Sequence, residues 1–158
     1  LYHSNLFGQT VSILRQELDT LVRVIFLLSK PIEQRRELVK QTLTNEKCRI
    51  GKTKITDKMM VDLSTKLNGW SEYVYKFGCA FIHLSNFHDY EKGNLFNNIT
   101  VLERNNIINY LNSYHGFRKE VELNNQTIIP YLPKIFKKIN GNLDLYIKSL
   151  EDDEKEIY

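Results

Sequence analysis

The sequence predicts an all-α fold, an up-and-down bundle of about five or six helices with antiparallel neighbours. Apolar residues recur at steps of three and four along most of the chain, and that spacing lines them up on one stripe of a helix. Prolines, Asn-Gly pairs and a Thr-to-Glu box fall where such stripes begin or end. Strand-like alternation is absent, apart from a short ribbon around Cys48 to Ile55.

The first helix is expected from about Ser4 to Ser29. Phe7, Val11, Leu14, Leu18, Leu21, Val22 and Ile25 form its core stripe. Arg15, Asp19 and Arg23 follow at steps of four on the opposite side, as a surface ion-pair ladder. Glu17 falls at the stripe's edge and is expected to be partly buried. Pro31 ends this helix and suits the first turn of a second, reaching about Thr44. Leu38 and Val39 supply its apolar contacts, and Arg35 and Arg36 are expected mostly in solvent.

Residues 45–56 read as a loop or short hairpin. Thr56 and Asp57 then open a third helix to Leu67, stopped by Asn68-Gly69. A fourth helix is expected from Trp70 to about His88. Its segment Val74 to Leu84 is apolar on nearly all sides, which suits the middle of a bundle. Thr100-Val101-Leu102-Glu103 reads as a capping box opening a fifth helix to about Ser113, with Ile107, Ile108 and Leu111 inward. Residues 114–126 read as a loop. The last helix is expected from Ile129 to Leu150, because Pro130 and Pro133 are tolerated only in a first turn. Asn140-Gly141 is a candidate kink, and the acidic residues from Glu151 oppose the helix dipole, so fraying is expected there.

A chain of 158 residues fits one domain, taken as residues 1–150 with an acidic tail at 151–158. Its 42% apolar and 26% charged composition is that of a globular protein. The net charge of +3 implies solubility and weak attraction to polyanions, and no more. Cys48 and Cys79 give no disulfide framework and are read as reduced, in the cytoplasm. No apolar run approaches the roughly 18 residues of a membrane span, so no membrane partner is expected. The wealth of Asn, Lys, Ile and Tyr is the bias of AT-rich genomes and points to a bacterial or phage source.

Two histidines, His83 and His88, stand at the end of the fourth helix. Imidazole exchanges protons near neutral pH, so the pair is a candidate for acid–base work. The plainer reading makes His83 a hydrogen-bonded core residue and His88 a helix-end residue favoured by the dipole. Five residues on a helix separate two side chains by about 140°, which argues against a metal pair, and no metal or cofactor is expected. His115 is placed in the loop after the fifth helix, where Gly116 supplies a turn. Lys47, Arg49, Lys52 and Lys54 concentrate in the loop at 47–58 and are candidates for phosphate contacts. Tyr73, Tyr75, Tyr90 and Tyr114 are candidates for stacking on unpaired bases. Gly51-Lys52-Thr53 shares its letters with the end of a phosphate-binding loop, but Glu46 stands where the first glycine is needed. A nucleophile elbow, a dinucleotide fingerprint and a carboxylate cluster are all missing.

The long first helix with Leu14-Arg15-Gln16-Glu17-Leu18, and a later helix ending Phe81-Ile82-His83-Leu84-Ser85, resemble the HEPN superfamily. The likeness lies nearest its uncharacterised and abortive-infection-type bacterial branches and extends over most of the chain. It implies a helical, commonly dimeric domain, and in many members a metal-independent ribonuclease of defence or toxin–antitoxin systems. The family's motif is an arginine followed, after four to six intervening residues, by a histidine. Here those positions hold Phe81, Ile82 and His83 before His88, and Lys76, Phe77 and Gly78 before His83. Before His115 they hold Ile108, Asn109 and Tyr110.

The expectation is therefore a HEPN-like domain that acts on or binds RNA, in bacterial defence. If it is catalytic, His83 and His88 are the acid–base pair and Arg15 or Lys76 the cation that steadies the phosphorane. Lys47, Arg49, Lys52, Lys54, Tyr90 and His115 are the nucleic-acid-binding candidates. The alternative is a non-catalytic module that dimerises or binds a partner protein.

Overall fold

Helical periodicity governs the chain as folded. The computed structural model describes residues 7–67 and 94–155. In order these form α1 (Phe7–Leu28), α2 (Ile32–Leu43), β1 (Arg49–Ile50), β2 (Thr53–Lys54) and α3 (Asp57–Leu67). After residue 93 come a 3-10 turn (Leu95–Asn98), α4 (Val101–His115), α5 (Asn125–Ile128), a second 3-10 turn (Ile129–Tyr131) and α6 (Leu132–Lys155). The architecture is all-α with one small hairpin. The helix expected from Trp70 to His88, with Gly78 and Cys79 in it, lies outside the described residues.

The α1 stripe from Leu14 onward sits in the core. Leu14, Leu18, Leu21, Val22 and Ile25 are buried, and so are Val24 and Phe26. The buried arc is thus wider than one stripe, because α1 packs against several neighbours. Among the described elements its most extensive partner is α6, followed by α3 and then α2. On α6 the matching face is Leu132, Ile135, Ile139 and Leu143. Each fully buried side chain of this kind contributes about 1.5–3 kcal/mol of transfer free energy, so the α1–α6 seam dominates the described core. Ile107, Tyr110 and Leu111 of α4 join the same cluster, with Phe96, Phe117 and Leu123 from the connecting segments.

The α1–α2 corner departs from expectation. Arg35 is not in solvent: its side chain is 15% exposed. Its guanidinium donates to the Lys30 carbonyl at 2.7 Å, the Leu28 carbonyl at 3.1 Å and the Asp153 carboxylate at 2.6 Å. It therefore satisfies carbonyls that the end of α1 leaves over and ties that corner to α6. The same contact explains why the acidic segment does not fray at Leu150; the helix continues to Lys155. Val39, expected to pack inward, is exposed, whereas Leu38 is buried.

Helix ends follow local chemistry. α2 closes with Asn45 at φ 58°, while Asn45 N–H donates to Thr42 and Glu46 N–H to Gln41. That is a Schellman ending, with asparagine in the left-handed position. Thr100 and Glu103 form the full reciprocal capping box on α4. α4 runs two residues beyond Ser113 and stops at Gly116, whose φ of 74° suits glycine. Pro130 lies in the 3-10 turn and Pro133 in the first turn of α6, where no helical donor is needed.

Candidate functional site

The segment 46–58 carries five cations against two carboxylates, and the fold displays it as a hairpin. Arg49 pairs with Lys54 and Ile50 with Thr53, in antiparallel register. Gly51 at φ 58° opens the two-residue turn Gly51-Lys52. The Ile55 N–H donates to the Cys48 carbonyl at 2.9 Å and extends the ladder by one pair. Gln41 of α2 accepts from the Arg49 N–H at 2.8 Å, which fixes the hairpin to the helix. Ile55 is buried, with Cys48 and Ile50 half-buried beside it. One face of the ribbon is thus anchored in the core. Lys47, Arg49, Lys52 and Lys54 are all exposed. Among the described residues, none of these four forms an ion pair with a carboxylate.

Behind the hairpin lies a groove of about 370 Å³. Phe26, Leu27, Leu38 and Met60 give it an apolar wall. Lys47, Lys54, Arg23, Glu46 and Asp57 give it a charged one. Arg23 and Asp57 approach at 3.9 Å, both largely in solvent, so their attraction is weak. Cys48 also lines the groove, with its sulfur 3.5 Å from the Thr42 hydroxyl.

A second cluster forms where α4 meets α6. His115 is in the last turn of α4, not in a loop, because the helix outruns its expected end. Its Nε2 lies 2.9 Å from the Tyr110 hydroxyl, and it is half-buried. Burial, then the nearby charges of Lys138 and Lys134, push the imidazole down to about 4. Burial also raises the Tyr110 phenol above its ordinary value. Both partners are therefore neutral near pH 7 and share a single hydrogen. Lys138 Nζ stands 3.3 Å over the centre of the Tyr114 ring, and burial lowers its pKa. Lys134 donates to the His115 carbonyl at 3.3 Å and stands over Tyr131. This is an aromatic and cationic patch, suited to binding more than to proton transfer at neutral pH, since a base titrating near 4 is weak.

Arg15 does not belong to a surface ladder. It is 7% exposed and bonded to Asp19. Burial outweighs this guanidinium and holds the Asp19 carboxyl above its usual range. Its place inside the core follows from the wide buried arc of α1. His83, His88, Lys76, Tyr73, Tyr75 and Tyr90 lie outside the described residues. The fold thus gathers Lys47, Arg49, Lys52 and Lys54 on one ribbon, while His115 sits on α4. Sequence reasoning missed Arg23, Met60, Tyr110, Lys134 and Lys138. Tyr110/Tyr114 and Lys134/Lys138 each repeat at four residues, a visible signal for a shared helix face. That the two faces meet is a tertiary fact. Among the described residues no group of three or more His, Cys, Asp or Glu could hold a metal ion. No helix among them is long and apolar enough to cross a membrane.

No family model, curated protein or solved structure matches the chain.

Proposed function

We propose that this chain is a HEPN-like RNA-binding domain of the bacterial cytoplasm, serving in defence, and that the basic hairpin is its phosphate-contacting element. The observation that carries the reading is the set of four exposed cations on an anchored ribbon, none of them neutralised by a described carboxylate. Phosphate contacts of this kind release counterions and need no sequence recognition.

The test is fluorescence anisotropy of a short labelled single-stranded RNA at low salt in chelator. Wild-type protein binds saturably, and the variant Arg49→Gln/Lys52→Gln binds more weakly at unchanged melting temperature. Equal affinity of the two proteins, or no binding, defeats the reading. The same samples on a gel report cleavage. RNA cut by the parent and left intact by His83→Ala/His88→Ala assigns the acid–base pair; cleavage by both removes it.

A second reading, a dimerisation or protein-interaction module without catalysis, draws on Val101 and Leu102. They are 75% and 70% exposed side by side at the start of α4. It predicts a concentration-dependent mass in light scattering that Val101→Ser/Leu102→Ser abolishes. A monomer at all concentrations contradicts the dimer.

A further inference from the structure

The groove behind the hairpin has a composition that phosphate binding does not require. Phe26, Leu38 and Met60 are core residues, yet each also lines an opening of about 370 Å³. That volume lies within the range of about 300–1,000 Å³ typical of small-ligand sites. An apolar wall of this kind favours an apolar ligand body, because its burial removes surface from water. The charged wall sets the sign of the rest. Arg23 and Asp57 face one another at 3.9 Å and offset each other's charge. Lys47 and Lys54 remain, against Glu46 as the other carboxylate of the lining. Lys47 stands two residues before β1 and Lys54 is the last residue of β2, so the ribbon that anchors Ile55 also brings both lysines to the rim of the groove. The balance is positive, and it stands beside an apolar surface.

We infer that this groove binds a small carboxylate with an apolar body, the body against Phe26, Leu38 and Met60 and the carboxylate on Lys47 and Lys54. A medium-chain acyl carboxylate and an aromatic carboxylate share that chemistry. The inference does not rest on RNA binding: Lys47 and Lys54 belong to both sites, but Arg49 and Lys52 are outside the groove lining, so a variant at those two weakens the RNA contact alone. Cys48, half-buried in the same lining, is a built-in reporter of occupancy.

The full chain is titrated with 1-anilinonaphthalene-8-sulfonate, and the dye is displaced with decanoate, 2-naphthoate or decanol. In parallel, iodoacetamide alkylation of Cys48 is followed by peptide mass spectrometry, which separates it from Cys79. Saturable displacement by decanoate, 2-naphthoate or both is expected, with the effective one naming the body. Decanol should bind more weakly. Lys47→Gln/Lys54→Gln should lower carboxylate affinity by about fivefold, the scale of partly exposed charge contacts, and leave decanol unchanged. Arg49→Gln/Lys52→Gln should change neither. Bound carboxylate should slow Cys48 alkylation by threefold or more. The inference is overturned if neither carboxylate displaces the dye, or if the Lys47/Lys54 variant, melting like wild type, binds both equally well. It is also overturned if saturating carboxylate leaves the Cys48 rate unchanged, because the ligand then sits elsewhere.

Discussion

Arg15 and Asp19 show how one residue's setting reverses its meaning. On the sequence they are two rungs of a ladder; in the fold Arg15 is buried and Asp19 is its acceptor. A buried guanidinium that loses one of its acceptors is costly, whereas a solvated pair contributes little. Asp19→Ala, which removes one acceptor of a buried cation, is therefore expected to destabilise the protein by about 1–3 kcal/mol, and Asp57→Ala, which removes the exposed pair with Arg23, by less than about 0.5 kcal/mol. Chemical denaturation measures both, and equal effects would contradict the assignment. His115 gives a second test. Its imidazole titrates near 4 when folded, against an ordinary 6.5. Between these values the unfolded chain takes up the proton first. The contribution of His115 is thus fully present above about pH 6.5 and lost as the pH falls toward 4. Wild-type stability should fall more steeply over that window than that of His115→Gln, and parallel profiles would contradict the burial argument.

At the scale of elements, local signals are legible in the sequence and long-range ones are not. α3 begins where Thr56 places it, with the Thr56 hydroxyl accepting from the Met59 N–H at 3.3 Å, because caps act within one turn; the stop expected at Asn68-Gly69 lies outside the described residues. The Thr100–Glu103 box is present in full for the same reason. Thr100→Ala is expected to cost about 1 kcal/mol, measured as a shift in unfolding midpoint; no shift would mean the box is redundant. Arg35 and Asp153, by contrast, are bonded across most of the chain, and nothing in either neighbourhood foretells it. α4 outruns its expected end because Tyr114 and His115 carry no stop signal, and only Gly116 does. Among the candidate site residues, the hairpin cations are legible as a charge cluster next to a Gly-Lys turn. The apolar wall behind them comes from α1, α2 and α3 together, and periodicity within one helix does not report on such a meeting of three.

The whole described molecule is a helical core with α1 against α6, and on its outside a basic ribbon held by Gln41 and Ile55. The fold class follows from patterning because helical spacing is repeated in every long element. The function does not, because phosphate binding needs only charge in the right place, and charge clusters are common on solvated faces. The central claim is that the ribbon contacts phosphates, and salt dependence tests it most directly. Binding of single-stranded RNA is measured across a salt series for wild type and Arg49→Gln/Lys52→Gln. Removing one cation from a phosphate should make the slope of log K against log salt shallower by about 0.7. The account predicts a variant slope shallower by about 1.4 for the two cations. Parallel slopes for the two proteins, or RNA binding indifferent to salt, would contradict it.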